Sequence, residues 1–164
     1  MITIRPIGAS ENRLVSSILA DNWGSGIIVT RGRVHDASAL PGFIAEADGK
    51  TAGLITYEIS QSGCEIVSLD SLIENKGVGS SLIEEVVKVA RECDCHRVWL
   101  ITTNDNTIAM RFYQKRGFSF AGIHLDTVTN ARAIKPQIPL LGFHGIPIRH
   151  EIEFEIKLNR TFNC

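Results

Sequence analysis

The sequence has no apolar run long enough to cross a bilayer. Its longest, such as residues 98–101, fall far below the roughly 20 residues that a membrane-spanning helix needs. Residues 1–8 also lack the layout of a signal peptide, so a cytoplasmic location without membrane attachment is expected. Net charge is nearly absent: 17 Lys plus Arg stand against 18 Asp plus Glu, a formal charge of -1. No global field would recruit nucleic acid, and any polyanion must be held locally. Cysteine is scarce. Cys64, Cys93, Cys95 and Cys164 occur in a chain too long to need a disulfide scaffold, and no pair has the C-x-x-C spacing of zinc or redox sites. The run Cys93-Asp94-Cys95-His96 lacks a second ligand pair at a usual interval, so no metal is expected. Asn159-Arg160-Thr161 has the form of a glycosylation acceptor, which carries no weight in a cytoplasmic protein. Repeats and low-complexity segments are missing too. What is present, 164 residues of which 44% are hydrophobic, fits a single domain over 1–164 that buries about 70% of its unfolded surface.

Periodicity gives an alternating order of strands and helices. Residues 2–7 read as a strand, and Ser10 opens a helix with Leu14, Val15, Ile18 and Leu19 on one face, stopped at Trp23-Gly24-Ser25-Gly26. Residues 27–30 favour β structure, whereas 31–36 have no period and read as an irregular loop. Segments 43–47 and 52–59 flank Asp48-Gly49, which predicts an antiparallel hairpin. Gly49-Lys50-Thr51 does not end a nucleotide-binding P-loop, because Ile44 holds the position of the first glycine and a strand follows. Residues 64–69 are the next strand. From Gly77 a helix buries Val78, Leu82, Ile83, Val86, Val87 and Ala90 and pairs Glu84 with Lys88 outside. The unbroken apolar run 97–103 then makes a strand, helix and parallel strand with right-handed crossover. Asn104-Asp105-Asn106 caps a helix with Ile108, Ala109 and Phe112 inside, Gly117 ends it, and 118–125 return as a strand. Pro136, Pro139, Gly142, Gly145 and Pro147 punctuate a long loop, 126–149, before a terminal strand over 150–158.

Lys76-Gly77-Val78-Gly79-Ser80 lies between a strand and the strongest helix. Glycines that let the backbone approach closely coincide there with unpaired helix amides and the positive end of the helix dipole, a geometry suited to a pyrophosphate. Glycines that merely make the turn are the alternative reading. The dinucleotide fingerprint G-x-G-x-x-G is excluded, because Leu82 stands at its third glycine.

About thirty residues on, Asn106-x-x-Ala109-x-x-Phe112-Tyr113-x-Lys115-x-Gly117-Phe118 resembles a helix signature of the GNAT superfamily of N-acetyltransferases, and the element order from residue 1 to 156 is similar to theirs. The resemblance implies an α/β (α+β) fold: a mixed, mostly antiparallel twisted sheet with a splayed central parallel pair and flanking helices. It also implies that acetyl-CoA is the co-substrate. The amides of Lys76, Gly77, Val78, Gly79 and Ser80 would then hold its pyrophosphate, Leu69, Ser71 and Leu72 with the intervening Asp70 would face its pantetheine, and Asn106 and Phe112 would line its other side. Tyr113 is the matching candidate acid. Its phenol, of pKa about 10, can donate to a departing thiolate whose thiol has a pKa about 8.5, with Phe112 as the core-facing neighbour. Two positions depart from the family pattern: Glu74 stands where Gln or Arg is usual, and 70–73 lack the usual proline.

The attacking amine needs a base. Asp70, at the strand end beside the expected reaction centre, is the best placed, with Glu65, Glu151 and Glu153 behind it and His35, His124, His144 and His150 as alternatives. Each of these carboxylates is more often merely part of a solvated sheet face. Arg31, Arg33, His35 and Asp36, with Lys135 and Arg149, could make a polar rim for the acceptor, suiting a carboxylate-bearing amine; Arg33, His35 and Glu151 are the candidate substrate contacts. The expected activity is acetyl transfer to a small-molecule primary amine by direct attack, with no metal. Acetylation of a protein lysine or N-terminus, and a non-catalytic acyl-CoA-binding regulatory module, are the alternatives. Pairing of terminal strands would give a homodimer.

Overall fold

The computed structural model describes residues 1–159. Cys164, and Arg160-Thr161 of the glycosylation-like triplet, lie outside the described residues. In chain order the elements are β1 (Ile2–Pro6), α1 (Asn12–Trp23), β2 (Ile27–Thr30), β3 (Arg33–Asp36), β4 (Gly42–Ala47), β5 (Lys50–Ser60) and β6 (Gly63–Ser71). They continue as α2 (Val78–Glu92), β7 (Arg97–Thr103), α3 (Thr107–Lys115), β8 (Ser119–His124), α4 (Thr127–Ile134) and β9 (Glu151–Lys157). The fold is mixed α/β, mostly antiparallel with one parallel pair. No helix among the described residues is long and apolar enough to cross a membrane.

The chain forms two compact units. The first takes in Met1–Ile28, Asp36–Val98 and, among the described residues, 157–159. Its strands run in the order β1-β4-β5-β6, each pair antiparallel. The β4–β5 hairpin turns at Asp48 (φ 50) and Gly49 (φ 73), the two positive φ values that a primed turn demands. From β6 the chain crosses over through α2 to the opening residues of β7, which run parallel to β6. Val15, Ile18, Leu19, Ile28, Ile44, Leu54 and Val67 form the core between α1 and the sheet. Gly53 of β5 lets α2 approach: a Cβ there would stand 2.6 Å from Val78 Cγ1 and 2.8 Å from Asp70 O. That close seat fixes the start of α2 relative to the end of β6.

The second unit takes in Val29–His35 and Trp99–Ile156. Its strands follow the order β7-β9-β8, with β8 and β9 antiparallel. Tyr113, Phe118, Ile152 and Phe154 are buried in its core with Val128, Ala131 and Ile148.

Several local expectations need correction. Residues 33–36 form a strand, because Arg31 (φ 49) and Gly32 (φ 74) make a tight turn and let the chain pair back on β2. Helix α1 starts after Glu11 and not at Ser10; the Glu11 carboxylate accepts from Gly8 N at 2.6 Å and from Arg5, which fixes the entry. Leu14 is half exposed, since Val15, Ile18 and Leu19 fill the narrow inner stripe. Lys88 pairs with Glu85 at 2.6 Å, one residue closer along the helix than Glu84. The segment 126–149 is not all loop, for α4 occupies Thr127–Ile134. Asn104 and Asp105 tie down the rest of that segment. Asn104 Oδ1 accepts from Arg149 N and His150 N, each at 2.9 Å, and Asp105 Oδ2 accepts from Phe143 N at 3.2 Å.

Candidate active site

Within the first unit, β6 delivers the chain to the glycine turn. Leu69 and Asp70 lie on β6 opposite Ile55 and Leu54, and exposed Leu72 donates its N–H to Ala52 O at 2.8 Å. Ser71 Oγ donates to Ile73 O at 2.8 Å, closing a small turn before Glu74. Gly77 (φ 74) is the N-cap of α2, a left-handed position that favours glycine. The first backbone bond of the helix is Ser81 N to Gly77 O, so the amides of Val78 and Gly79 have no acceptor inside the helix and point out of its positive end. A Cβ on Gly77 would meet nothing within 4 Å. The space around that Cβ position is open. Glu74 and Lys76 are both exposed, so water screens the unusual carboxylate.

Asp70 is the unusual acid of this unit. It is 9% exposed, and both its oxygens accept from Trp23 Nε1, at 3.0 and 3.1 Å. Burial raises its pKa from 3.8 to about 6, with the Trp23 hydrogen bond pulling the other way. A carboxyl that ionises near 6 is well matched to accept a proton close to neutral pH. Trp23 was not foreseen as a site residue. Its only sequence signal is an aromatic at the end of α1, and nothing local tells that its indole reaches a residue 47 positions away.

In the second unit, Asn106 Oδ1 accepts from Ala109 N at 3.0 Å, so that oxygen caps α3. The adjacent aromatics exchange the expected exposures. Tyr113 is buried, its ring 5.1 Å from Phe112, 5.3 Å from Phe118 and 6.3 Å from Phe154. Phe112 is only half-buried, with the Arg116 guanidinium 3.4 Å above its ring. Ile108, expected inside, is 62% exposed. The helical phase that puts Tyr113 into the aromatic cluster turns Ile108 out and leaves Phe112 at the edge, covered by the residue one turn on.

Several residues of the expected polar rim have local partners or are buried. Arg31 NH1 pairs with Glu153 Oε1 at 3.3 Å, Lys135 is buried, and Arg149 pairs with Asp126 at 3.0 Å. Arg33 is exposed on β3, and His35 is buried with Nε2 2.8 Å from Thr30 Oγ1. The terminal strand departs further from expectation. Glu151 and Glu153 share one face of β9, yet they are 3% and 6% exposed instead of solvated. Glu151 Oε2 accepts from Arg31 N at 3.0 Å, and His124 Nε2 lies 3.2 Å from Glu153 Oε1. His150 Nδ1 accepts from Asp126 N, and His144 is exposed at a left-handed turn.

Comparison with known proteins decides the family. The model of the Acetyltransferase (GNAT) family matches residues 17–118, more than half of the chain. The chain belongs to the GNAT acetyltransferase family. The matched residues of this GNAT chain take in Asp70, the Gly77 turn and Tyr113, whereas Glu151 and Glu153 lie beyond them. Two uncharacterized proteins of Bacillus subtilis (strain 168) are similar over most of their lengths. YdhI is 41% identical over 155 residues, 94% of this chain and 97% of its own, and YxbD is 43% identical over 140 residues, 85% and 88%. In fold, the chain resembles a GNAT family acetyltransferase from Elizabethkingia anophelis solved with acetyl-CoA bound. The TM-score is 0.71 at 19% identity, over 96% of this chain and 98% of the other.

Proposed function

We propose that this GNAT domain transfers an acetyl group from acetyl-CoA to a primary amine of a small molecule by direct attack. The observation that carries the reading is Asp70, a buried carboxyl at the end of β6 that ionises near 6, on the strand that leads into the glycine turn. Acetyl-CoA supplies the activated acetyl thioester. The amides of Lys76 to Ser80 hold the pyrophosphate at the clear end of α2, and Leu69, Ser71 and Leu72 carry the pantetheine. Asn106 and Phe112 complete the cofactor contacts. Asp70 accepts the proton that the amine nitrogen loses as the N–C bond forms. Tyr113 gives its phenolic proton to the thiolate released when the C–S bond breaks, and solvent restores it. The buried thiol of Cys64 supports direct transfer over an acyl-cysteine, since burial pushes its pKa up to about 12 and holds it as an unreactive thiol.

Thermal-shift titration of the purified chain with acetyl-CoA, CoA and ATP tests the binding half of this reading. At about 100 times the dissociation constant, acetyl-CoA and CoA should each add about 2.7 kcal/mol, or roughly 5 to 10 °C, while ATP adds nothing comparable. The absence of a shift in protein free of bound CoA would overturn it. Gly77→Val should abolish most of that shift, because the branched side chain projects into the clear space and is strained at φ 74. A Gly77→Val protein that binds acetyl-CoA normally would remove the α2 terminus from the site.

Trp23 acts on Asp70 through its indole N–H, which lowers the pKa that burial raises. Trp23→Phe removes that donor, so Asp70 should ionise at higher pH and the acid limb of kcat/KM should move up from about 6 by about half a unit or more. A limb that stays in place would show that Asp70 is not the titrating group.

A further inference from the structure

We infer that the chain pairs with a second copy of itself through the hairpin that precedes β9, on a two-fold axis passing beside Leu140 and Leu141. The inference does not depend on the chemistry proposed above. The hairpin belongs wholly to the second unit. Ile148 N donates to Leu140 O at 3.0 Å and Gly142 N to Ile146 O at 2.9 Å, with Leu141 opposite Pro147 between them. His144 (φ 57) and Gly145 (φ 71) turn its tip.

Side chains from elsewhere in the unit hold this hairpin at several points. The buried Asp105 accepts from Phe143 N, and its carboxylate sits so close to Gly142 that a Cβ there would overlap Oδ2. Asn104 Nδ2 donates to Pro147 O at 3.0 Å. The Arg132 guanidinium on α4 donates to Pro139 O and Ile148 O, each at 2.7 Å, and to Ile138 O at 3.2 Å. Polar groups thus fix the backbone, yet what the hairpin displays is apolar. Leu140 is 73% exposed, Leu141 59% and Phe143 47%. A fixed apolar surface kept open to water marks an interaction site, and its rigidity lowers the entropy cost of binding.

Charge decides the partner. Residues 136–148 contain no Asp, Glu, Lys or Arg. The cations that flank them are engaged or covered: Arg132 by the three carbonyls, Arg149 by Asp126 at 3.0 Å, and Lys135 by burial. The hairpin therefore offers no Lys or Arg to a phosphate-rich surface and no complement to a charged partner. A second copy suits it. On a two-fold axis each residue meets its own counterpart, so any charge beside the axis faces its like and repels it. An apolar, charge-free centre is what self-pairing requires, with charged residues left to the rim. The terminal strand, from which pairing is expected on sequence, does not serve, because β9 lies between β7 and β8.

Sedimentation equilibrium of the purified chain from about 1 μM to 1 mM, the range in which interfaces of modest size associate, should show the mass rising to twice that of the chain. Leu140→Glu and Leu141→Glu each place like charges beside the axis and should raise the dimer dissociation constant at least about 100-fold. Both side chains stand largely in solvent, so the far-ultraviolet circular dichroism of either variant should match that of the unaltered chain. A mixture of Leu140→Glu with Leu140→Lys should recover the dimer, because opposite charges then meet across the axis, a recovery that a folding defect would not allow. A chain that stays monomeric throughout, a dimer that withstands both substitutions, or a mixed pair that stays monomeric would each overturn the inference. So would a monomer that binds phosphatidylcholine vesicles through the hairpin, or one in which Leu140→Glu only raises the KM of apolar amines, since the surface would then serve a membrane or the acceptor. Should one Glu variant not fold, the other and the concentration dependence of the unaltered chain still decide.

Discussion

Asp70→Asn should yield a protein that is more stable and almost inactive. The folded state raises the Asp70 pKa from 3.8 to about 6, so it disfavours the ionised form relative to the unfolded chain. Stability linked to this group is fully present below about pH 4 and is lost as pH rises through about 6. Above that, the buried charge costs about 2 to 3 kcal/mol, from 1.36 kcal/mol for each pKa unit. Asparagine carries no charge and keeps an oxygen for the Trp23 N–H. At neutral pH the variant should therefore melt roughly 4 to 12 °C higher than the unaltered chain, and at pH 4 the gain should vanish. Loss of the base should lower kcat/KM about 10²- to 10⁴-fold. Calorimetry at the two pH values with a rate assay checks both halves. An active variant, or one with equal gains at both pH values, would remove Asp70 from the proposed chemistry.

Tyr113→Phe should separate chemistry from binding. The substitution deletes one hydroxyl from a ring that packs against Phe112, Phe118 and Phe154, so the aromatic cluster survives and the melting temperature changes little. Acetyl transfer should fall at least about tenfold, the lower edge of a general-acid contribution, while affinity for acetyl-CoA stays within about twofold. The loss should appear in kcat as well as kcat/KM, because the proton is needed only as the thiolate departs. An unchanged kcat would mean that Tyr113 serves the core alone.

Much of this site is legible in the sequence because the decisive signals are local. Gly77-Val78-Gly79 before a strongly periodic helix marks the helix start that the structure has, with Gly77 as its left-handed N-cap, and Asn106 to Phe118 packs several fixed residue types into one helix. The Asp48-Gly49 turn is of the same kind, since two positive φ values are written in the dipeptide itself. What escapes the sequence depends on partners far along the chain. Nothing near Asp70 tells that Trp23 binds both its oxygens, and nothing near Glu151 tells that the backbone N–H of Arg31 donates to it. The Glu151-Ile152-Glu153-Phe154 alternation suggests a solvated acidic face, but tertiary packing buries that face too. Helical spacing alone likewise assigns Phe112 and Tyr113 to opposite sides without saying which is inside; Phe118 and Phe154 decide it.

The most direct test is to incubate the purified chain with acetyl-CoA and a panel of primary amines, then follow CoA release together with the masses of the amines. Acetyl transfer predicts that free CoA and one acetylated amine appear in equal amounts, at a rate proportional to the protein and falling as pH drops through about 6. Binding of acetyl-CoA with no amine gaining an acetyl group would contradict it and leave a cofactor-binding module in its place.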